Sequence, residues 1–110
     1  MQKQTNKYHN KQTMLLGEKF SSRKEAARYQ ELLLMQRAGL IRNIELQPRY
    51  DLVVNAQKLG FYKADFRYEK TDTSEIMVED VKGGNATKTP VYMLKKKLVK
   101  ALYDIDIIEV

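Results

Sequence analysis

The stretch from Phe61 to Lys82 restricts the fold of this chain more than any other part of it. In Phe61 to Glu69, Tyr62, Ala64, Phe66 and Tyr68 alternate with Lys63, Asp65 and Arg67, the period-two pattern of a strand with one buried face. Glu75 to Lys82 reads as a second strand, and the intervening Lys70-Thr71-Asp72-Thr73-Ser74 is rich in turn formers. If the turn is centred between Asp72 and Thr73, each step outward pairs the next two residues until Asp65 falls opposite Asp80. Gly83-Gly84-Asn85 then breaks the second strand.

Around this hairpin the chain carries clear start and stop signals. Thr13 to Phe20 makes two short strands about Gly17. A helix starts at Ser22, where Ser22-Arg23-Lys24-Glu25 has capping-box spacing, and stops at Gly39. Ile44 to Leu46 and Tyr50 to Val54 flank Gln47-Pro48, the pattern of a strand interrupted at a bulge or an edge. A second helix has Thr89 as N-cap and Pro90 at its first position. Its expected apolar stripe is Val91, Leu94, Leu98 and Leu102, with Lys95, Lys96, Lys97 and Lys100 on the remainder. Ile105 to Val110 closes the chain as a strand. Helix, three strands, helix, strand is an α/β order, a mixed sheet flanked by two helices. Residues 1–12 read as a flexible basic arm and residues 13–110 as one domain.

Composition narrows the chemistry. With 110 residues and 43% hydrophobic content the chain can bury one core without covalent staples. It has no cysteine, and its only histidine is His9, which excludes thiolate zinc sites and two-histidine sites. A metal would be held by oxygen, which favours Mg²⁺ or Mn²⁺. A net charge of +6 favours a polyanionic partner. The polar opening lacks the apolar stretch of a signal peptide, and no apolar run approaches the roughly 20 residues that span a bilayer. The expectation is a cytoplasmic protein with no membrane partner and no organic cofactor.

The facing acids are where chemistry is expected. Directly opposed side chains on antiparallel strands have Cβ atoms roughly 4.5–5.5 Å apart. Two carboxylates at such a distance repel by about 4 kcal/mol at an effective dielectric of about 20, and a divalent cation would offset this. Lys82 lies two residues beyond Asp80 and so shares its face. Two acids that hold a cation, with a lysine acting on the attacking water, is the equipment of a metal-assisted hydrolase. The competing reading is a solvated strand face whose charges happen to alternate. A slip of one residue would exchange Asp80 for Glu79.

Ala64-Asp65-Phe66 followed by Val78-Glu79-Asp80-Val81-Lys82-Gly83 resembles the signature of PD-(D/E)XK nucleases, in its relaxed form without the proline. The chain more closely resembles a group of short, phage-encoded members known only as a domain of unknown function. That likeness runs through Phe20 to Ala26, Leu46-Gln47-Pro48, the two acidic strands, Tyr92 to Leu98 and the final strand. The resemblance implies a restriction-endonuclease-like αβββαβ core and a DNA endonuclease that leaves a 5′-phosphate and a 3′-hydroxyl. It implies Asp65, Asp80 and the Val81 carbonyl as metal ligands, Lys82 acting on water, and Glu25 as a helix-borne acid added to the site. A capping box alone also accounts for Glu25. Lys95, Lys96 and Lys97, with Lys3, Lys7 and Lys11 of the arm, are candidate DNA contacts, and Gln47 either orients the metal-bound water or bonds within the sheet. A homodimer would supply two sites for two strands. Junction or branched DNA is an alternative substrate, a catalytically inactive DNA-binding module an alternative function, and a structural protein of a phage particle a third.

Overall fold

The computed structural model describes residues 13–82 and 89–110. The basic arm and Gly83-Gly84-Asn85 lie outside the described residues. Strands β1 (Thr13–Leu15) and β2 (Glu18–Phe20) form a hairpin about Leu16-Gly17, with φ of 53° and 84°. Positive φ at both loop positions matches the twist of the flanking strands, and only glycine adopts it without a Cβ penalty.

Helix α1 (Arg23–Arg37) begins where Ser22 Oγ accepts the Glu25 N–H at 3.1 Å. It ends in a Schellman motif: Gly39, at φ 82°, donates to the Gln36 carbonyl at 3.0 Å, and Leu40 to the Met35 carbonyl at 3.0 Å. Strand β3 (Ile41–Leu46) follows directly.

Next come β4 (Arg49–Val54), β5 (Gln57–Lys63), β6 (Phe66–Lys70) and β7 (Ile76–Asp80). Then follow α2 (Pro90–Tyr103), with Thr89 Oγ1 accepting the Tyr92 N–H, and β8 (Ile107–Glu109). The main sheet runs β3-β6-β7-β8, antiparallel except for the parallel β7/β8 pair, whose crossover is α2. Strands β4 and β5 form a separate two-stranded ribbon closed by Asn55-Ala56, at φ 51° and 65°.

Five strands, not three, therefore lie between the helices. The two extra ones come from a kink. Strand β3 turns into β4 at Gln47-Pro48, where Gln47 takes φ 52°, and β5 turns into β6 at Ala64-Asp65. Two backbone bonds carry the ladder across the bend, Gln47 N–H to the Asp65 carbonyl at 2.9 Å and Ala64 N–H to the Pro48 carbonyl at 3.0 Å. The expected single strand from Phe61 to Glu69 is thus bent in its middle. Tyr62, Ala64, Phe66 and Tyr68 are all buried, but in two different cores. Phe66 and Tyr68 join Phe20, Ala26, Leu32 and Ile41 beneath α1, while Tyr62 and Ala64 join Leu52, Val78, Val99 and Ile107 beneath α2. Strand β7 and the residue after it alternate between those cores, Met77 and Val81 towards α1 and Val78 towards α2.

The buried face of α2 also departs from expectation. Val99 is its fully buried residue, and Tyr92, two turns earlier, shares that face. Val91 and Leu94 are 62% and 59% exposed, and Leu102 is exposed too. The stripe Val91-Leu94-Leu98-Leu102 is offset from the inward face because Val99, one step beyond Leu98, meets Val78 and Ile107 beneath the crossover. No helix among the described residues is long and apolar enough to cross a membrane.

Candidate active site

The β6/β7 ladder has the expected register, Phe66↔Glu79, Arg67↔Val78, Tyr68↔Met77 and Glu69↔Ile76. Asp65 lies one residue beyond its paired end, at the kink. There its N–H donates to the Glu79 carbonyl at 3.0 Å, and its Oδ2 accepts the Val81 N–H at 2.7 Å. The carboxylate thus takes the place of a ladder carbonyl, which fixes its rotamer at the open end of the sheet.

Glu79 and Asp80, adjacent in sequence, sit in opposite layers. Glu79 faces α1, 1% exposed, and accepts two bonds from the Arg28 guanidinium at 2.8 and 2.6 Å and one from the Tyr68 hydroxyl. The Arg28 guanidinium is held above its ordinary pKa mainly by this bond to Glu79, and burial with Glu79 beside it pushes the Tyr68 phenol up to about 12. Asp80 faces the other layer, where its Oδ2 accepts from the buried Tyr62 hydroxyl and lies 3.7 Å from Lys82 Nζ. Burial raises the Asp80 carboxyl, and the Lys82 charge works against that rise.

The acid that perturbs Asp65 is Glu25 rather than Asp80. Burial first, and then the hydrogen bond with Glu25, push the Asp65 carboxyl up to about 7. Burial opposes ionisation of Glu25 as well, but the bonds with Asp65 and Ser21 outweigh it and leave that carboxyl below its usual range. Ser21 supplies both its N–H, at 2.9 Å, and its hydroxyl, at 3.0 Å, to Glu25 Oε1. Two carboxyls in contact disfavour ionising together, and here burial and Glu25 favour the protonated form of Asp65. Glu25 is therefore more than a cap: it is buried, and α1 carries it into contact with an acid of the sheet.

Lys82 is tethered from several sides. Its N–H donates to the Val110 carbonyl at 2.9 Å, and its carbonyl accepts from Lys24 Nζ of α1. Its ammonium lies over the Tyr92 ring, 3.5 Å from the centroid. The Tyr92 hydroxyl donates to Glu109 Oε2 at 2.8 Å, and Lys96 Nζ reaches the same oxygen at 3.1 Å. Burial, followed by that bond to Glu109, raises the Tyr92 phenol well above its ordinary value.

The remaining candidates are dispersed. Gln47 is exposed at the kink and bonded through its N–H to the Asp65 carbonyl, beside the acids. Lys95 Nζ lies 5.7 Å from the centre of the Phe61 ring, Lys96 is committed to Glu109, and Lys97 is exposed. Lys3, Lys7 and Lys11 fall outside the described residues. Sequence reasoning missed Tyr62, Tyr92 and Glu109. Tyr62 reads as a core residue by alternation, and Glu109 reaches the site through the parallel register Asp80↔Glu109, which no local signal reports.

Every candidate ligand here is an oxygen donor, and two carboxyls in contact are the kind of donor set that a hard cation holds together. Among the described residues, however, no three aspartate, glutamate or histidine side chains converge closely enough to hold a metal ion.

A family model described as "Protein of unknown function (DUF1064)" matches residues 5–107. No curated protein and no solved structure matches the chain.

Proposed function

The chain belongs to the DUF1064 family of proteins of unknown function, and from that premise we propose that it is a metal-dependent DNA endonuclease with a restriction-endonuclease-like core. One observation carries the reading: Glu25 of α1 meets Asp65 at the end of the sheet from which Asp80 and Lys82, 3.7 Å apart, project together. A purely structural strand end has no need of two buried acids, Glu25 and Asp80, beside a half-buried third, Asp65. The kinked β3/β4 and β5/β6 read as two long strands, so α1, those two, β7, α2 and β8 correspond to an αβββαβ order.

In this reading Asp65, Glu25 and Asp80, with the Val81 carbonyl, would draw closer than they stand here to hold Mg²⁺ or Mn²⁺. The ion supplies charge for the phosphate oxygens and lowers the pKa of water. The Val81 N–H holds Asp65 in one rotamer, and the Tyr62 hydroxyl does the same for Asp80. Lys82 keeps its ammonium beside Asp80, where it orients the attacking water and offsets charge that develops on the phosphate. The water oxygen bonds phosphorus, the P–O3′ bond breaks, and the 3′ oxygen takes a proton, leaving a 5′-phosphate and a 3′-hydroxyl. Glu79, saturated by Arg28 and Tyr68, takes no part.

The wider reading is a homodimer acting on DNA in the host-cell cytoplasm of a phage infection, with junction or branched DNA as the narrower substrate. A DNA-binding module of the same fold without catalysis is the second reading, favoured by the lack of three converging acids among the described residues.

Duplex, flapped, junction and single-stranded DNA incubated with Mg²⁺, Mn²⁺ or EDTA tests the proposal. Cleavage with either metal, lost in EDTA and in Asp65→Ala, is expected. DNA retardation in EDTA with no cleavage under any condition would select the second reading.

A further inference from the structure

We infer that Tyr92 is a positioning residue, whose ring holds the Lys82 ammonium beside Asp80. The inference rests on the nuclease reading above and adds to it a group outside the acid-and-lysine set. A lysine side chain has more rotamer freedom than most, and an ammonium at a strand end would sample many positions. The Lys82 backbone is fixed by Val110 and Lys24, but those bonds do not constrain the four-carbon stem. Two groups constrain its end. Asp80 Oδ2 lies 3.7 Å from it, and the centre of the Tyr92 ring 3.5 Å.

The ring's π face attracts a cation without accepting a proton or forming a directional bond. It can therefore hold the ammonium while leaving its N–H groups available to water and phosphate. A carboxylate in the same place would compete with the phosphate for those donors.

The ring itself does not wander. Its hydroxyl is bonded to Glu109, Glu109 also takes Lys96, and the ring packs tilted against Tyr62, with centroids 6.3 Å and planes 45° apart. Tyr62 in turn donates to Asp80. One chain of contacts thus runs from α2 and β8 through two tyrosines to both the acid and the lysine. The placement follows from local structure: Thr89 caps α2, Pro90 starts it, and Tyr92 falls in the first turn, on the face that looks at the end of β7.

Tyr92→Phe keeps the ring and loses the bond to Glu109, while Tyr92→Leu keeps apolar bulk and loses the π face. Two measurements separate the outcomes. The first is the NMR shift of the Lys82 ε-methylene in protein carrying ¹³C-labelled lysine, which needs no activity. A ring-current displacement is expected in wild type and Tyr92→Phe, and its loss in Tyr92→Leu. The second is steady-state cleavage. Tyr92→Leu should lower kcat roughly tenfold with KM little changed, within the range of a partly desolvated cation–π contact, and Tyr92→Phe should restore most of it. Graded fluorination of phenylalanine at position 92 should lower kcat in step with the ring's cation affinity at near-constant size.

An undisplaced Lys82 signal in wild type overturns the inference. So does a Tyr92→Leu protein that folds, loses the displacement and cleaves at the wild-type rate, or a flat fluorination series. A displaced signal in a wild-type protein that cleaves no DNA leaves the ammonium's placement standing, and only the nuclease reading falls.

Discussion

Lys82 is held by its surroundings so firmly that a structural and a catalytic role must be separated by measurement. Its ammonium lies 3.7 Å from Asp80, whose carboxyl is buried, so removing it strips a countercharge from an acid that burial already disfavours. That alone costs some stability. A catalytic group loses rate far more than it loses folding or binding, because its contact is strongest in the transition state. We expect Lys82→Ala to lower the cleavage rate by roughly 10²–10³. Its thermal midpoint should fall modestly, and its DNA affinity in Ca²⁺ should change little. Normal cleavage with a lowered midpoint would make Lys82 structural. Asp65 offers a second residue-scale test, through pH. An unfolded aspartate ionises near pH 3.9, by about the model-peptide value, whereas burial and Glu25 push folded Asp65 up to about 7. Between those values the folded chain binds a proton that the unfolded chain has released, so this group's contribution to stability falls as pH rises through the window. In EDTA the thermal midpoint should decline from about pH 5 to about pH 7, and Asp65→Asn should remove most of that slope. Mg²⁺ should restore the midpoint above the window, where both acids are charged. A midpoint that climbs with pH over the same range would mean that Asp65 is ionised throughout.

At the scale of elements, α1 is fastened to the sheet by one ion pair as much as by its apolar face. Arg28 bonds Glu79 through two nitrogens, and Glu79 is 1% exposed with the Tyr68 hydroxyl completing its shell. Arg28→Met leaves that carboxylate buried without its countercharge, which costs about 3–5 kcal/mol when such a pair is broken. The urea midpoint of Arg28→Met should fall accordingly, and Arg28→Met with Glu79→Gln should recover part of the loss. Equal midpoints in wild type and Arg28→Met would show the pair to be dispensable. Because Glu25 lies one turn before Arg28, this clamp also sets where the helix-borne acid meets Asp65. Elements whose signals are local were readable from the chain: Ser22 and Gly39 bound α1, Thr89-Pro90 starts α2, and Leu16-Gly17 turns the first hairpin. The β6/β7 register was readable too, because alternation and one turn determine it together. The β4–β5 ribbon was not. Its turn, Asn55-Ala56, has an alanine at φ 65°, and Gln57 to Gly60 has no alternation to mark a strand. In the site, the Glu25–Asp65 and Lys82–Tyr92 contacts join elements distant in sequence, so no spacing rule could pair them. The Asp65–Asp80 opposition expected from register gives way to Glu25 because the kink removes Asp65 from the ladder.

For the whole molecule, charge and copy number determine how DNA would be engaged. A protomer carries one candidate site, so cutting both strands of a duplex or junction together requires two protomers. Mixing wild type with an excess of Lys82→Ala should then give mainly nicked duplex, whereas unchanged linear product at high excess would mean that one protomer cuts both strands in turn. The net charge of +6 favours a polyanion, and two of the buried acids are already offset, Glu79 by Arg28 and Asp80 by Lys82. DNA affinity should fall steeply with salt, by about 0.9 in logarithmic slope for each phosphate neutralised on a duplex. The structure separates the lysines of α2 by what they already hold. Lys97 is exposed, Lys95 lies beside Phe61, and Lys96 bonds Glu109. Replacing Lys95 and Lys97 with glutamine should flatten the salt slope with little change in thermal midpoint. Lys96→Gln should instead lower the midpoint, because it takes a countercharge from Glu109 beside Asp80, and should change the slope least of the three. If Lys96→Gln flattens the slope as much as Lys97→Gln does, Lys96 leaves Glu109 for phosphate on binding. If none of the three moves it, α2 does not face the DNA.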